Sequence, residues 1–226
     1  MLNTQIKTVL DASRTRGWVS EPDAKGLLAA SGLTVPRFTL VTDPGRIQSA
    51  AQSIGFPLAA KVVSSQILHK SDYGGVKTGI STMEELTAVF EWFGRLDGFE
   101  AMLVEEMVPG LEMIIGAKID DQFGPVVMLG MGGTGVEIYQ DISFRMAPVN
   151  PEDVPSMITC LKGGRLLSGY RGGVVVNRDE LTRTLICFSE FVMAAAEMIE
   201  SIDLNPVMCS AERCVVADAR IILPTE

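Results

Sequence analysis

The sequence predicts an α+β protein built from two subdomains. Its 226 residues, of which 47% are hydrophobic, are enough for one large packed core or two smaller ones. Up to about residue 100 the chain alternates between helix and strand patterns. From residue 101 strand patterns follow one another, before two helices and a C-terminal hairpin. This change near residue 100 predicts two α+β subdomains that meet at a cleft.

Capping signals define the helices of the first half. Ser20 is followed by proline in the first turn and by Asp23 three residues on, so a helix begins there and runs to residue 31. The segment STMEE at 81–85 caps a second helix, which extends to about residue 96. The other elements predicted here are strands at 37–41, 58–63 and 76–80 and a helix at 44–54.

The second half is richer in strands, which glycine and proline turns separate. The elements predicted here are strands at 101–106, 111–119, 125–130 and 142–149, helices at 151–161 and 178–198, and a hairpin with arms at 202–206 and 215–222.

Composition excludes several classes of function. The net charge of −9 argues against nucleic acid or an acidic membrane as a partner. The most apolar helix candidate, 185–199, contains Glu190 and Glu197 and is too short to span a bilayer. The N-terminus lacks a basic and then apolar leader, so we expect a cytoplasmic protein. A mean hydropathy of +0.26 indicates that a partner subunit covers part of the surface.

The chain contains one histidine, His69, in a polar loop that ends in two glycines. An imidazole titrates near neutral pH, so a nitrogen lone pair is available to accept a proton or a phosphoryl group. The preceding strand pattern carries a single lysine, Lys61. Together they suggest a lysine that holds phosphates and a histidine that receives one, although a solvated surface histidine is the alternative.

A glycine-rich loop lies at 130–135, with the sequence GMGGTG. It matches the pattern of a dinucleotide fingerprint, but the following residues alternate like a strand and do not open a helix. We therefore reject a dinucleotide site. Backbone amides that approach a nucleotide phosphate remain a candidate role, and a tight turn is the alternative. No P-loop motif occurs in the chain.

The strand that ends near Glu105 could present its backbone to a purine edge, with Met107 as part of an apolar wall. Glu112 could accept hydrogen bonds from ribose hydroxyls. An ordinary edge strand with exposed acids is the alternative. Arg145 and Arg171 are candidates to neutralise phosphate charge, or surface arginines.

The C-terminal hairpin carries candidate metal ligands. Strand alternation places Asp203 and Asn205 on one face, and pairing could bring Asp218 beside them. Carboxylate and amide oxygens, completed by phosphate oxygens, suit magnesium. Acids that only flank a turn are the alternative.

Together these segments resemble the ATP-grasp subunit of ADP-forming acyl-CoA synthetases of the acetyl-CoA synthetase type, and more distantly the β subunit of succinyl-CoA synthetase. The stretch ILHKSDYGGV at 67–76 is specific; the glycine loop alone is not. Other matching segments, in family order, are FGP at 123–125, GMGGTG at 130–135, RMAP at 145–148, GYRG at 169–172, DLNP at 203–206 and DAR at 218–220.

The resemblance implies an ATP-grasp fold in which two subdomains clamp ATP. The first, at 21–101, would be inserted into the second, which comprises 1–20 and 102–226. His69 would act as a relay in phosphoryl transfer, with Arg145 as a second catalytic residue. Asn205 and Asp218 would bind Mg²⁺. The residues predicted to bind ATP or ADP are Lys61, Gly74, Gly75, Glu105, Met107, Glu112, Gly132, Gly133 and Arg171.

The resemblance also implies that the chain is half of an enzyme. A CoA-binding partner subunit would join it in an α2β2 assembly and would hold the small carboxylic acid. Three alternatives stay open: a carboxylate–amine ligase of the wider ATP-grasp group, a non-catalytic nucleotide-binding subunit, and one domain of a longer fused chain. The sequence does not identify the acid.

Overall fold

The computed structural model describes residues 4–133, 138 and 140–224. Its contacts divide the chain into two compact units. The smaller unit is Pro36–Val108, and the larger unit combines Met1–Val35 with Pro109–Glu226. The smaller unit is thus an insertion in the sequence of the larger one.

The described residues form α-helices and antiparallel strands. The helices are α1 (Thr4–Ser13), α2 (Glu21–Ala30), α3 (Ile47–Ile54), α4 (Met83–Phe93), α5 (Asp153–Cys160) and α6 (Arg178–Ala195). The strands are β1 (Trp18–Val19), β2 (Phe38–Val41), β3 (Leu58–Ser64), β4 (Val76–Ile80), β5 (Phe99–Glu106), β6 (Leu111–Asp120), β7 (Gly124–Met131), β8 (Ile142–Met146), β9 (Ser201–Cys209), β10 (Cys214–Val216) and β11 (Arg220–Ile222). This mixture confirms the predicted α+β class.

The smaller unit is a four-stranded antiparallel sheet in the order β2–β5–β3–β4. Helices α3 and α4 pack on one face of it, where Leu58, Ala60 and Val62 of β3 join the core. Because successive side chains of a strand point to opposite faces, Lys61 and Val63 lie on the other face. The sheet therefore separates an apolar core from the face that carries the lysine.

The larger unit contains a seven-stranded sheet in the order β1–β11–β9–β6–β7–β8, with β10 paired to β9. Its core contains residues from helices and strands alike, including Leu10 of α1, Phe188 of α6 and Ile115 of β6. Strand alternation puts Gly116 and its partner Asp203 on the opposite face of the sheet.

The boundaries of the inserted subdomain require a correction, because the prediction placed it at 21–101. Helix α2 belongs to the larger unit, since Leu27 and Leu28 are buried in its core. At the other end β5 continues to Glu106, whose backbone N–H donates to the Arg37 carbonyl at 3.0 Å. The insertion therefore begins at Pro36 and ends at Val108.

The helix starts predicted from capping signals are confirmed. The Ser20 side chain accepts the Asp23 N–H at the start of α2. At α4 the Thr82 hydroxyl accepts the Glu85 N–H at 3.2 Å, and the Glu85 carboxylate accepts the Ser81 N–H at 2.7 Å. These reciprocal bonds satisfy N–H groups that have no partner within the helix.

Among the described residues, no helix is both long and apolar enough to cross a membrane.

Candidate active site

In the smaller unit, Lys61 of β3 and Glu105 of β5 form a buried ion pair. The Lys61 Nζ lies 3.5 Å from the Glu105 Oε2, and the two side chains are 8% and 3% exposed. Strand register brings them together, because Ala59 is opposite Glu105 and Lys61 is opposite Leu103. The pair lies on the sheet face away from α3 and α4.

The structure pairs the Glu105 carboxylate with Lys61, and the contact of Glu105 with adenine that the resemblance implies stays a prediction. A buried carboxylate requires a partner, and Lys61 provides one. Met107, which follows β5, was predicted to contact the same ring, and its side chain is 37% exposed. Of the two, Met107 is the one with surface available to a ring.

His69 lies in the connection between β3 and β4 and is exposed. It immediately precedes a 3₁₀ turn at Lys70–Tyr73. The strand with Lys61 leads into this loop after Ser64, so both predicted chemical groups belong to the smaller unit. An exposed imidazole on a short loop is accessible to a phosphoryl donor.

Gly74 and Gly75 close this loop, and their predicted binding of nucleotide stays a prediction. The Gly75 N–H donates to the Lys70 carbonyl at 2.8 Å, and the Gly74 N–H donates to the Ser71 carbonyl at 3.1 Å. A Cβ at Gly75 would lie 2.5 Å from Val62 Cγ1. The glycines are there because the turn is tight, and their amides are used within it.

In the larger unit, the glycine loop begins beside Glu112. The Gly132 N–H donates to the Glu112 carbonyl at 2.8 Å, so this amide continues the pairing of β6 with β7 and is not directed at a phosphate. A Cβ on Gly133, whose φ is +95°, would lie 3.8 Å from a Glu112 carboxylate oxygen. The structure thus brings Glu112 and Gly133 together. Thr134 and Gly135, the rest of the predicted loop, lie outside the described residues.

The two predicted arginines differ in their surroundings. The Arg145 guanidinium donates to the Phe144 carbonyl at 2.7 Å and to the Ser156 hydroxyl, and its Nε lies 3.8 Å from Asp153 Oδ1. Arg145 therefore ties β8 to α5, and its catalytic role stays a prediction.

Arg171 is exposed, in a 3₁₀ turn at Tyr170–Gly172. Its guanidinium carbon lies 5.3 Å from the centroid of the Tyr170 ring. Its φ of 55° is a left-handed conformation that residues other than glycine rarely adopt. Binding of phosphate by Arg171 stays a prediction.

The predicted metal ligands come close together through the backbone. The Pro206 carbonyl accepts the Ala217 and Asp218 N–H groups at 3.0 and 3.4 Å, so Asp218 lies beside the segment that contains Asn205. Burial raises the pKa of the neighbouring Asp203 carboxyl; the Arg220 guanidinium, at 3.4 Å, opposes this shift and the charge of Asp218 adds to it.

These oxygen groups fit magnesium with phosphate oxygens as further ligands. The charge of Asp218 disfavours the ionised form of Asp203, and a cation nearby would relieve that repulsion. Within the described residues no cluster of three or more histidine, cysteine, aspartate or glutamate side chains could hold a metal ion by itself. Binding of Mg²⁺ by Asn205 and Asp218 stays a prediction.

Sequence reasoning missed Asp141, which lies just before β8. Its two carboxylate oxygens accept the Lys162 N–H at 2.7 Å and the Gly163 N–H at 2.6 Å. Its backbone carbonyl accepts the Met131 N–H at 3.0 Å. Asp141 therefore fixes the end of β7, where the glycine loop starts. No local sequence signal identifies hydrogen bonds between residues that are 21 and 22 positions apart.

Comparison with known proteins defines the class first. A family model described as an ATP-grasp domain matches residues 10–223. The match extends over both compact units, so the fold is that of an ATP-grasp protein, as predicted.

The most informative relative is the β subunit of acetate–CoA ligase [ADP-forming] I from Pyrococcus furiosus, which is 37% identical over 211 residues that cover 90% of each chain. The chain belongs to the family of ADP-forming acetate–CoA ligase β subunits. Acetate–CoA ligase [ADP-forming] I from Archaeoglobus fulgidus is also 37% identical, but the match covers only 31% of that longer protein. A succinate–CoA ligase β subunit from Ignicoccus hospitalis is more distant, at 24% identity, as predicted.

Two solved structures of dinucleotide forming acetyl-coenzyme A synthetase 1 from Ca. Korarchaeum cryptofilum have the same fold. One, in complex with coenzyme A, Ca-AMPCP and HgCl⁺, gives a TM-score of 0.90 at 36% identity and covers 96% of this chain and 99% of its own. The other, in complex with coenzyme A and Mg-AMPPCP, has its phosphohistidine segment pointing towards the nucleotide binding site. It gives a TM-score of 0.86 at 35% identity and covers 97% of this chain and 100% of its own.

Proposed function

We propose that the chain is the nucleotide-binding subunit of an ADP-forming acyl-CoA synthetase. The enzyme would interconvert carboxylate, CoA and ATP with acyl-CoA, ADP and phosphate. One observation carries the proposal: the only histidine of the chain is exposed on the loop that follows the Lys61 strand. This arrangement occurs in a chain that is 37% identical to an ADP-forming acetate–CoA ligase β subunit.

In this proposal the predicted residues have different roles in nucleotide binding. Lys61 of the smaller unit holds phosphate oxygens, and Met107 contributes apolar surface to the adenine. Glu112 of the larger unit accepts hydrogen bonds from the ribose, while Asn205 and Asp218 hold Mg²⁺. The bound ion neutralises phosphate charge, which favours phosphoryl transfer. A solved relative that contains Mg-AMPPCP supports this choice of nucleotide and metal.

His69 acts as a relay for the phosphoryl group. Its imidazole nitrogen attacks the phosphorus of a phosphohistidine on the partner, and the phosphorus–nitrogen bond of that donor breaks. The electron pair returns to the donor nitrogen, which takes up a proton, while His69 loses the proton from its other nitrogen. An oxygen of the ADP β-phosphate then attacks the phosphorus, and the bond to His69 breaks. His69 recovers its lone pair and a proton, and ATP is formed.

The partner in this scheme is a CoA-binding subunit. Two observations support it: the Pyrococcus furiosus relative is a β subunit, and the longer Archaeoglobus fulgidus relative extends well beyond the matched region. We propose an α2β2 assembly in which the partner binds CoA and a small carboxylic acid.

Replacement of His69 by asparagine tests the relay. We expect ADP affinity, measured by calorimetry, to stay within about twofold, because asparagine removes the nucleophile and not the phosphate ligand. ATP-dependent thioester formation with the CoA-binding partner should fall by more than about 1,000-fold. Ser49→Ala, an exposed change in the smaller unit, serves as the control and should retain full activity.

Full activity of His69→Asn would exclude the relay. In the unaltered protein, phosphoryl transfer should leave a label on His69 that is stable to alkali and labile to acid. A carboxylate–amine ligase forms acyl phosphate directly and would leave no such label. Loss of turnover with any acid tested, in a partner-containing complex that still binds ADP, would instead support a non-catalytic subunit.

A further inference from the structure

The loop that carries His69 is fixed at its start by a buried serine. Ser64, the last residue of β3, is 6% exposed. Its hydroxyl donates to the Asp97 carbonyl at 2.6 Å and accepts the N–H groups of Gln66 and Ile67 at 3.0 and 3.1 Å. One oxygen atom therefore connects the first residues of the loop to a different part of the smaller unit.

That part is the turn between α4 and β5, at Asp97 and Gly98. The Ser65 N–H donates to the Gly98 carbonyl at 3.0 Å, which adds a second connection. Gly98 has a φ of +64°, and a Cβ there would lie 2.8 Å from Ser65 Oγ and 3.0 Å from Ser64 Oγ. The close approach of the turn to the loop thus requires glycine at this position.

The far end of the loop is fixed by other groups. The Lys70 carbonyl accepts the Gly75 N–H at 2.8 Å. The indole N–H of Trp92, on α4, donates to the Gly74 carbonyl at 3.4 Å. Helix α4 and the turn that follows it therefore contact both ends of the loop.

Between these two sets of anchors the chain has little freedom. Ile67 is buried at one end and Lys70 is bonded at the other, so Leu68 and His69 are the residues between them. We infer that the Ser64 hydroxyl is a positioning group for His69, which it holds at a fixed place relative to α4 and the sheet. This inference rests on the proposed relay and identifies a residue that sets its geometry.

Phosphoryl transfer is sensitive to such positioning. The reaction depends on alignment of the attacking nitrogen, phosphorus and leaving group, and a displacement of about 1 Å can reduce a rate by about 100-fold. Without the Ser64 hydroxyl, two N–H groups and the Asp97 carbonyl lose their common partner. The loop would then start from a less defined backbone, and His69 would sample more positions.

Ser64→Ala tests the inference in the complex with the CoA-binding partner. We expect single-turnover phosphoryl transfer between the partner and ADP to slow by about 10- to 100-fold. ADP affinity should stay within about twofold, because Lys61 is unchanged. Trp92→Phe removes the weaker anchor at the other end while keeping an aromatic ring. It should slow transfer by about threefold. This second variant keeps the inference testable if Ser64→Ala does not fold.

Ser189→Ala is the matched control. Ser189 is also buried, and its hydroxyl accepts the Val149 N–H at 2.8 Å, but it belongs to the larger unit. It should lose stability comparably and transfer phosphate at the unaltered rate per folded molecule. Normal transfer rates in both Ser64→Ala and Trp92→Phe would overturn the inference. If His69→Asn is itself fully active, the relay fails instead, so the two failures are distinguishable.

Discussion

Two buried lysine–glutamate pairs, among the residues that the structure describes, differ in how the fold assembles them. Lys25 and Glu21 lie one turn apart on α2, with the Nζ 2.8 Å from Oε1 and side chains that are 0% and 2% exposed. Lys61 and Glu105 come from two neighbouring strands; their nitrogen and oxygen lie 3.5 Å apart, and the side chains are 8% and 3% exposed. The helical pair is shorter and fully enclosed.

Burial of an ion pair therefore does not by itself indicate function. A buried pair contributes little net stability, because desolvation of both charges offsets their attraction. A short pair within one helix suits a packing role. A longer pair across a sheet, on the face away from the helices, suits a lysine that gives up part of its contact with Glu105 when a phosphate binds.

The affinity for ADP should distinguish the two pairs most strongly. Lys61→Met with Glu105→Gln removes one pair, and Lys25→Met with Glu21→Gln removes the other. The first double variant should bind ADP about 100-fold more weakly, because a charged phosphate ligand is lost, and the second should bind within about twofold of normal. Calorimetric titration with ADP measures both. Equal affinities would show that Lys61 holds no phosphate.

The next effect concerns stability. Lys25→Met alone leaves the Glu21 carboxylate buried without the ammonium group, which should lower the free energy of unfolding by about 3–5 kcal/mol. Urea denaturation followed by circular dichroism measures this loss. The folded fraction should bind ADP normally. A loss below about 1 kcal/mol would mean that the pair is not as enclosed as its geometry indicates.

A smaller effect follows from a double-mutant cycle on α2. Addition of Glu21→Gln to Lys25→Met removes the buried charge that has lost Lys25 and should recover about 2 kcal/mol of the stability lost by the single variant. The same denaturation experiment applies. If the losses of the two single changes simply add, the two side chains do not interact and the comparison between the pairs fails.

The smallest effect comes from a partly exposed residue, Asp120, which ends β6 at the turn to β7. Hydrogen bonds from the Phe123 and Gln122 N–H groups, at 3.0 and 2.9 Å, lower the pKa of its carboxyl. Because the pKa is lower in the folded protein than in the unfolded chain, the ionised carboxylate stabilises the fold at pH values above the unfolded-state pKa. This contribution is lost as the pH falls through the folded-state pKa.

Asp120→Asn provides the measurement. Thermal denaturation between about pH 5 and pH 3 should show the unaltered protein losing slightly more stability than the variant as the pH falls. Parallel curves would show that the turn gains nothing from the charge. Such a small effect, beside those of Lys61 and Lys25, would show how strongly burial increases the effect of a charge.

Local signals in the sequence predicted most of the fold. The caps at Ser20 and Thr82 satisfy helix ends with residues three positions away, so they are visible without tertiary information. The domain boundaries were wrong because they depend on distant contacts. Helix α2 has a clear start, but the burial of Leu27 and Leu28 in the core of the larger unit decides which unit it joins.

The candidate site was predictable in its residue types and less so in their partners. The sequence identified Lys61 and His69 as chemically unusual. It could not show that Glu105 faces Lys61 or that Ser156 binds Arg145, because strand register and helix packing create those contacts. Ser64 gave no signal, since a serine at the end of a strand becomes informative only once Asp97 is beside it.

The two ends of the inserted unit are joined by hydrogen bonds and an ion pair between Arg37 and Glu106. The Glu106 N–H donates to the Arg37 carbonyl, the Arg37 N–H donates to the Glu106 carboxylate at 3.1 Å, and the Arg37 Nε lies 3.0 Å from the same group. Because the two ends of the segment lie side by side, it can be inserted into a connection of another domain without separating the residues that flank it.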